Sequence, residues 1–175
     1  MTSPYIQRYA RPAIALHWAI ALVIIAGAVL GLALETIPRE QRLPWANLHA
    51  VLGTLILLLT FARLFVRVTH VPPPLYDRGW VVALSKVGHF ALYALTLALP
   101  LSGLAMWWLR GRGLDLWLFQ IPSPLAVNRD VAKLAEEAHE VIFWIGALAV
   151  GGHVAAALVH HFVWKDGLLE RMRPA

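Results

Sequence analysis

Along the chain, apolar positions are grouped in four long runs rather than in the short alternations of a strand or the narrow stripe of a soluble amphipathic helix. The runs free of Asp, Glu, Lys and Arg are Pro12 to Leu34, Leu43 to Ala62, Val87 to Leu109 and Val141 to Trp164. Each is long enough, at about 1.5 Å rise per residue, to cross a hydrocarbon layer of about 30 Å as a helix. The pattern predicts helices over about 12–34, 43–67, 81–109 and 131–164. The fourth starts in the polar stretch Arg129 to Glu140 and projects above the membrane. No repeat or linker divides residues 1–175, so the expected architecture is one all-α domain, an integral membrane four-helix bundle.

Composition agrees with the pattern. At 59% hydrophobic and 14% charged residues in 175, the chain has more apolar surface than a soluble domain of that size can bury. The first run follows Arg8 and Arg11 as a signal peptide would, but it exceeds the usual apolar length of about 7–15 residues and is expected to be a retained helix. The triple proline Pro72 to Pro74 marks the second connection as a loop, and Pro100 is expected to bend the third helix.

Charge sets the expected orientation. Arg8, Arg11, Arg63, Arg67, Arg78, Lys86, Lys165, Arg171 and Arg173 face Asp77, Asp166 and Glu170 on one side. The other side carries Arg39, Arg42, Arg110, Arg112, Arg129 and Lys133 against seven carboxylates, Glu35, Glu40, Asp115, Asp130, Glu136, Glu137 and Glu140. The positive-inside rule then places both termini on the cytoplasmic side of the membrane. The net charge of +5 therefore reflects topology rather than nucleic-acid binding.

Six histidines lie in or beside the four spans, where ionisable side chains are costly and usually turn inward. His17 and His153 fall at the cytoplasmic level of helices 1 and 4, and His49 and His139 at the outer level of helices 2 and 4. His139 and His153 are 14 residues apart, within about 40° of one helix face and about 21 Å along it. Two bis-histidine sites at that spacing suit two stacked b-type haems in a bundle core. Zinc would need three or four ligands converging on one point. With no cysteine in the chain, thiolate ligation, covalent haem attachment and cysteine-held clusters are excluded.

Other residues share these stripes. Gly31 is 14 residues from His17, Gly103 is 14 from His89, and Gly146 lies midway between His139 and His153, so each is expected to let a flat porphyrin approach the backbone. Arg63 and Arg67 follow His49 by 14 and 18 residues and are candidates for pairing with haem propionates. His160, seven residues beyond His153, and His89 on helix 3 are candidates to bind and protonate a redox partner at the inner end. The alternative for His89 is that it replaces His17 as an iron ligand. His161 is expected at the interface and His70 in a loop.

Leu16-His17-Trp18, Leu48-His49, Gly88-His89, Leu99-Pro100 with Gly103, His139-Glu140, Gly152-His153 and the terminal run His160 to Asp166 together resemble the prokaryotic cytochrome b561 family, in particular its superoxide oxidase members. The resemblance covers nearly the whole chain. It implies a di-haem oxidoreductase that passes electrons from superoxide, outside, to ubiquinone. It also implies that His49 and His139 ligate the outer haem, His17 and His153 the inner one, and that His89 and His160 serve the quinone. Arg110, Arg112, Arg129 and Lys133 are then candidates to attract superoxide. Glu136, Glu137 and Glu140 are candidates to orient His139. The alternative reading is a haem-b anchor that relays electrons between quinone and a separate dehydrogenase or hydrogenase subunit. A haem-free histidine-lined transporter is a third.

Overall fold

The computed structural model describes residues 7–73 and 79–174. Pro74, Asp77 and Arg78, invoked above for the second loop and its charge, lie outside the described residues. Four helices run α1 (Arg11–Ala33), α2 (Arg42–Thr69), α3 (Gly79–Leu109) and α4 (Arg129–Val159). All four are long and apolar enough to cross a membrane, α4 together with a π-helical turn at His160–Trp164 that continues it.

Local chemistry explains the ends. Pro12 stands in the first turn of α1, where its missing N–H has no helical partner to lose. Asn128 caps α4 by accepting the Val131 N–H at 3.1 Å, and Asp130 in the first turn suits the positive end of the helix dipole. The π turn ends at Lys165, whose left-handed φ of 53° reverses the chain. Pro100 lies inside a continuous α3, and Gly53 of α2 faces its ring, so that a Cβ there would sit 3.6 Å from Pro100 Cβ.

α1 packs on α2, α2 on α3 and α3 on α4, whereas α1 and α2 make far less backbone contact with α4. In α4 only Ala132 is buried. The densest apolar packing joins Leu57, Leu104, Trp107 and Leu114 at the α2–α3 seam. Side chains such as Leu22, Val29, Leu58, Phe65 and Leu148 are exposed on the outside of the helices, as lipid-facing positions must be.

Each end of the bundle carries a closing segment. At the outer end, a small hairpin pairs β1 (Leu114–Asp115) with β2 (Gln120–Ile121). Asn47 clamps it to α2: its amide donates to Asp115 O at 2.8 Å and accepts the Asp115 N–H at 2.9 Å. Trp107 Nε1 donates to Gly113 O at 2.8 Å beside this clamp. At the inner end the tail folds back through a 3-10 turn at Leu169–Met172. Trp18 Nε1 donates to Met172 O at 2.8 Å, Tyr9 N–H donates to Arg171 O at 3.1 Å, and Arg171 donates to Pro73 O at 2.7 Å.

Asn47→Ala removes both side-chain bonds of the hairpin clamp. Each such bond contributes about 1 kcal/mol net, so the thermal unfolding midpoint in detergent should fall with helix content unchanged; an unaltered midpoint would show that the clamp contributes nothing.

Candidate functional site

The histidines meet across the gap between α4 and the first two helices. At the outer level the rings of His49 and His139 have centres 6.1 Å apart with planes at 86°. At the inner level His17 and His153 are 6.2 Å apart at 73°. Two imidazoles on opposite sides of one metal ion have ring centres about 6 Å apart, given metal–nitrogen bonds of about 2.0 Å. Both pairs fit that separation, and so does His89–His153 at 5.8 Å.

The outer pair also has its tautomers fixed. His49 Nδ1 donates to Gly27 O on α1 at 3.0 Å, and His139 Nδ1 donates to Leu99 O on α3 at 2.9 Å. A carbonyl only accepts, so Nδ1 carries the proton and Nε2 keeps the lone pair a metal requires. In both cases a glycine stands four residues beyond the accepting carbonyl, Gly31 after Gly27 and Gly103 after Leu99. A Cβ at Gly31 would meet His49 Cε1 at 2.9 Å, and one at Gly103 would meet His139 Cε1 at 2.9 Å. The absent side chains are what lets the rings reach the helix backbone.

That corrects the expectation for these two glycines, since an imidazole rather than a porphyrin face lies against each. Gly146 differs, with no atom within 4 Å of its would-be Cβ. A second correction concerns Glu136, Glu137 and Glu140. His139 is oriented by Leu99 O and by Ser102 Oγ at 3.1 Å. Glu136 instead pairs with Arg110 at 2.6 Å, Glu137 with Lys133 at 3.9 Å, and Glu140 is exposed. Helical geometry is the reason: Glu137 and Glu140 lie on other faces of α4 from His139, and Glu136, one turn before it, is taken up by Arg110.

The inner level holds three rings. His89 lies 5.8 Å from His153, and its Nδ1 donates to Ser85 O in its own helix at 2.6 Å. Arg63 acts electrostatically on both His17 and His153, and its Nε donates to the Tyr93 hydroxyl at 3.1 Å. A pocket beside them is lined by Tyr9, Arg63, Arg67, His70, Tyr93 and Met172, with no carboxylate among its described lining residues. It is suited to an anionic group such as a propionate. His70 itself caps the end of α2 and His161 is exposed.

His160 is buried, stacks edge-on against Trp164 at 4.4 Å, and donates from Nδ1 to the Asp166 carboxylate. The π turn and the reversal at Lys165 bring Asp166 back to His160. The other Asp166 oxygen accepts the Leu168 N–H at 3.0 Å. Partial burial pushes the Asp166 carboxyl up, but the bonds from His160 and Leu168 outweigh it and hold the group below its ordinary value. Asp166 and Tyr93 are the site residues that sequence spacing missed. Only the place of Asp166 in the terminal run His160 to Asp166 hinted at the first.

The model of the prokaryotic cytochrome b561 family matches residues 8–175. The chain belongs to that family. It is 30% identical over 171 residues to the probable superoxide oxidase CybB of Yersinia pestis, covering 96% of this chain and 97% of that protein. It is 30% identical over 176 residues to cytochrome b561 homolog 1 of Escherichia coli (strain K12), covering 96% and 98%. It is also 34% identical over 174 residues to cytochrome b562 of Cereibacter sphaeroides, covering 94% of each. As a cytochrome b561 it is a multi-pass membrane oxidoreductase that binds haem b and transfers electrons.

Two outcomes follow. Gly31→Val and Gly103→Val should each lower the haem content of the purified cytochrome while leaving its helical circular dichroism intact; full haem content would refute the glycine cradle. Because the Asp166 carboxyl is depressed in the folded chain, its tie is fully present above the ordinary carboxylate range and lost as pH falls below it. The protection of residues 165–173 against hydrogen exchange, relative to the intrinsic rate at each pH, should therefore be unchanged between pH 7 and 5, with Asp166→Asn lowering it already at pH 7.

Proposed function

We propose that this cytochrome b561 is a superoxide:ubiquinone oxidoreductase with two haems b, its outer face periplasmic and both termini cytoplasmic. The observation that carries the reading is the presence of two histidine ring pairs, at opposite levels of the bundle, each with the separation of two imidazoles across one iron. His49 and His139 hold the outer haem, His17 and His153 the inner one, and Arg63 and Arg67 take up propionates in the pocket they line. The resemblance to the protein named probable superoxide oxidase supports superoxide as donor.

When bound, haem b supplies reversible one-electron chemistry at iron. The protein's part is to fix four imidazoles, exclude water and manage protons. Two superoxide anions give two dioxygen molecules and two electrons, and one quinone takes up those electrons with two protons to become quinol. His160 and His89 serve that acceptor. Each has Nδ1 committed, to Asp166 and to Ser85 O respectively, which leaves Nε2 to face a quinone oxygen and pass a proton.

Anion attraction on the outer side falls to Arg112 and Arg129, because Arg110 and Lys133 are engaged by Glu136 and Glu137. Arg112 lies over the Trp107 ring at 5.0 Å, which holds its charge at the outer end of α3.

The test is quinol formation by the purified holoprotein in quinone-containing vesicles supplied with enzymatically generated superoxide, with superoxide dismutase abolishing it. Failure without an added partner, together with a co-purifying peripheral redox subunit, would replace this reading with that of a relay anchor. His153→Ala should remove one haem. His160→Ala should keep both and slow quinone reduction by about 100-fold; loss of haem in that variant would overturn the assignment.

A further inference from the structure

The outer hairpin ends in three large apolar side chains that none of the described residues covers. Trp117 is 72% exposed, Leu118 93% and Phe119 60%. A tip of this composition standing in water would be an aggregation hazard. The backbone is nevertheless organised to present it. Trp117 is held at a left-handed φ of 62°, a conformation bulky residues rarely adopt, and the Asp115 carboxylate accepts the Trp117 N–H at 2.9 Å. Leu118 N–H closes a tight turn on Leu116 O at 2.7 Å, and Leu116 N–H bonds Phe119 O at 3.0 Å. The base is fixed independently by Asn47 and by the 2% exposed Leu114.

Where the base is fixed decides what the tip meets. Asn47 is five residues into α2 from Arg42, so the clamp lies about 7 Å along the helix from its outer end. Asn47 also precedes His49 by two residues, which turns it about 200° around α2 from the ring that faces α4. The hairpin is thereby clamped to the flank of the bundle away from the outer histidine pair and not across the mouth between α2 and α4. On that flank the helices meet lipid, so a tip clamped there below the helix end faces the same medium as their exposed apolar side chains. No charged residue interrupts Leu116 to Phe119, while Arg112 stands just before the hairpin.

We propose that the Trp117-Leu118-Phe119 tip is an interfacial anchor, seated between the headgroups and acyl chains of the leaflet that covers the outer ends of the helices. Aromatic side chains at that depth and cations at headgroup level are the chemistry a phospholipid interface selects. The tip holds the outer hairpin against the membrane whichever redox partners the haems serve.

The chain has no cysteine, so Leu118→Cys gives a single labelling site. A nitroxide placed there in the full-length holoprotein, reconstituted in phosphatidylethanolamine and phosphatidylglycerol vesicles, should collide several-fold more with oxygen than with a water-soluble nickel chelate. The same label at Arg39→Cys, in the exposed α1–α2 connection, should show the reverse. Phe119→Cys serves if the first variant does not fold. Nickel accessibility at the tip equal to that at position 39 would overturn the proposal by placing the tip in water. Dipolar broadening that vanishes on dilution with unlabelled chain would overturn it in favour of a second copy covering the tip.

Discussion

An imidazole inside a hydrocarbon layer has two ring nitrogens to satisfy and no water with which to satisfy them. The outer end of this bundle is arranged around that constraint. The helix carbonyls of Gly27 and Leu99 already accept their own helical N–H groups, but each oxygen has a second lone pair. A glycine four residues on clears the path to it. His49 and His139 lie against those glycines and spend Nδ1 on the carbonyls, which commits Nε2 to face its counterpart across the gap. The register of α2 on α1 and of α4 on α3 is thus coupled to ligand orientation. A one-turn slip in either would remove both the bond and the space.

The inner end solves a different problem. His17, His153 and His89 sit together there, with Arg63 tied to Tyr93 beside them, and His160 is paired with Asp166 two turns further along. This level is more polar, and it is covered by segments rather than by helix packing. The tail reaches Trp18 through Met172 O and Pro73 through Arg171. Rigid, carbonyl-locked rings suit a site that only passes electrons. A cluster with spare ring nitrogens, a carboxylate and a covering tail suits the exchange of a proton-taking acceptor, which is the division of labour proposed above.

Spans, their order and the level at which each histidine lies were legible in the sequence because hydropathy and helical periodicity are local. Runs of apolar residues fix which segments cross, and a 14-residue interval fixes both face and depth. Gly31 and Gly103 were visible as members of the histidine stripes, but their task depends on a ring arriving from another helix, which spacing within one helix does not reveal. The same holds for Asn47 and Asp115, 68 residues apart in the chain. The Arg110–Glu136 pair and the return of Asp166 to His160 are equally non-local. In the last case a π turn and a left-handed lysine do the work, and neither has a sequence signature.

The outer surface shows why summed charge is a poor guide to a charged ligand. Counting side chains gives that side a slight negative excess, unpromising for an anion. Geometry redistributes it: Glu136 and Glu137 are turned onto Arg110 and Lys133, so two of the carboxylates flanking His139 are largely neutralised where they stand. Such exposed pairs add little to stability. Their consequence is electrostatic, because a paired carboxylate repels an approaching anion much less than an isolated one, and within about one Debye length of 8 Å the field is set by the nearest unpaired groups. Arg112, held over Trp107 at the end of α3, and Glu140, exposed beside His139, then count for more in that field than any net charge for the face as a whole.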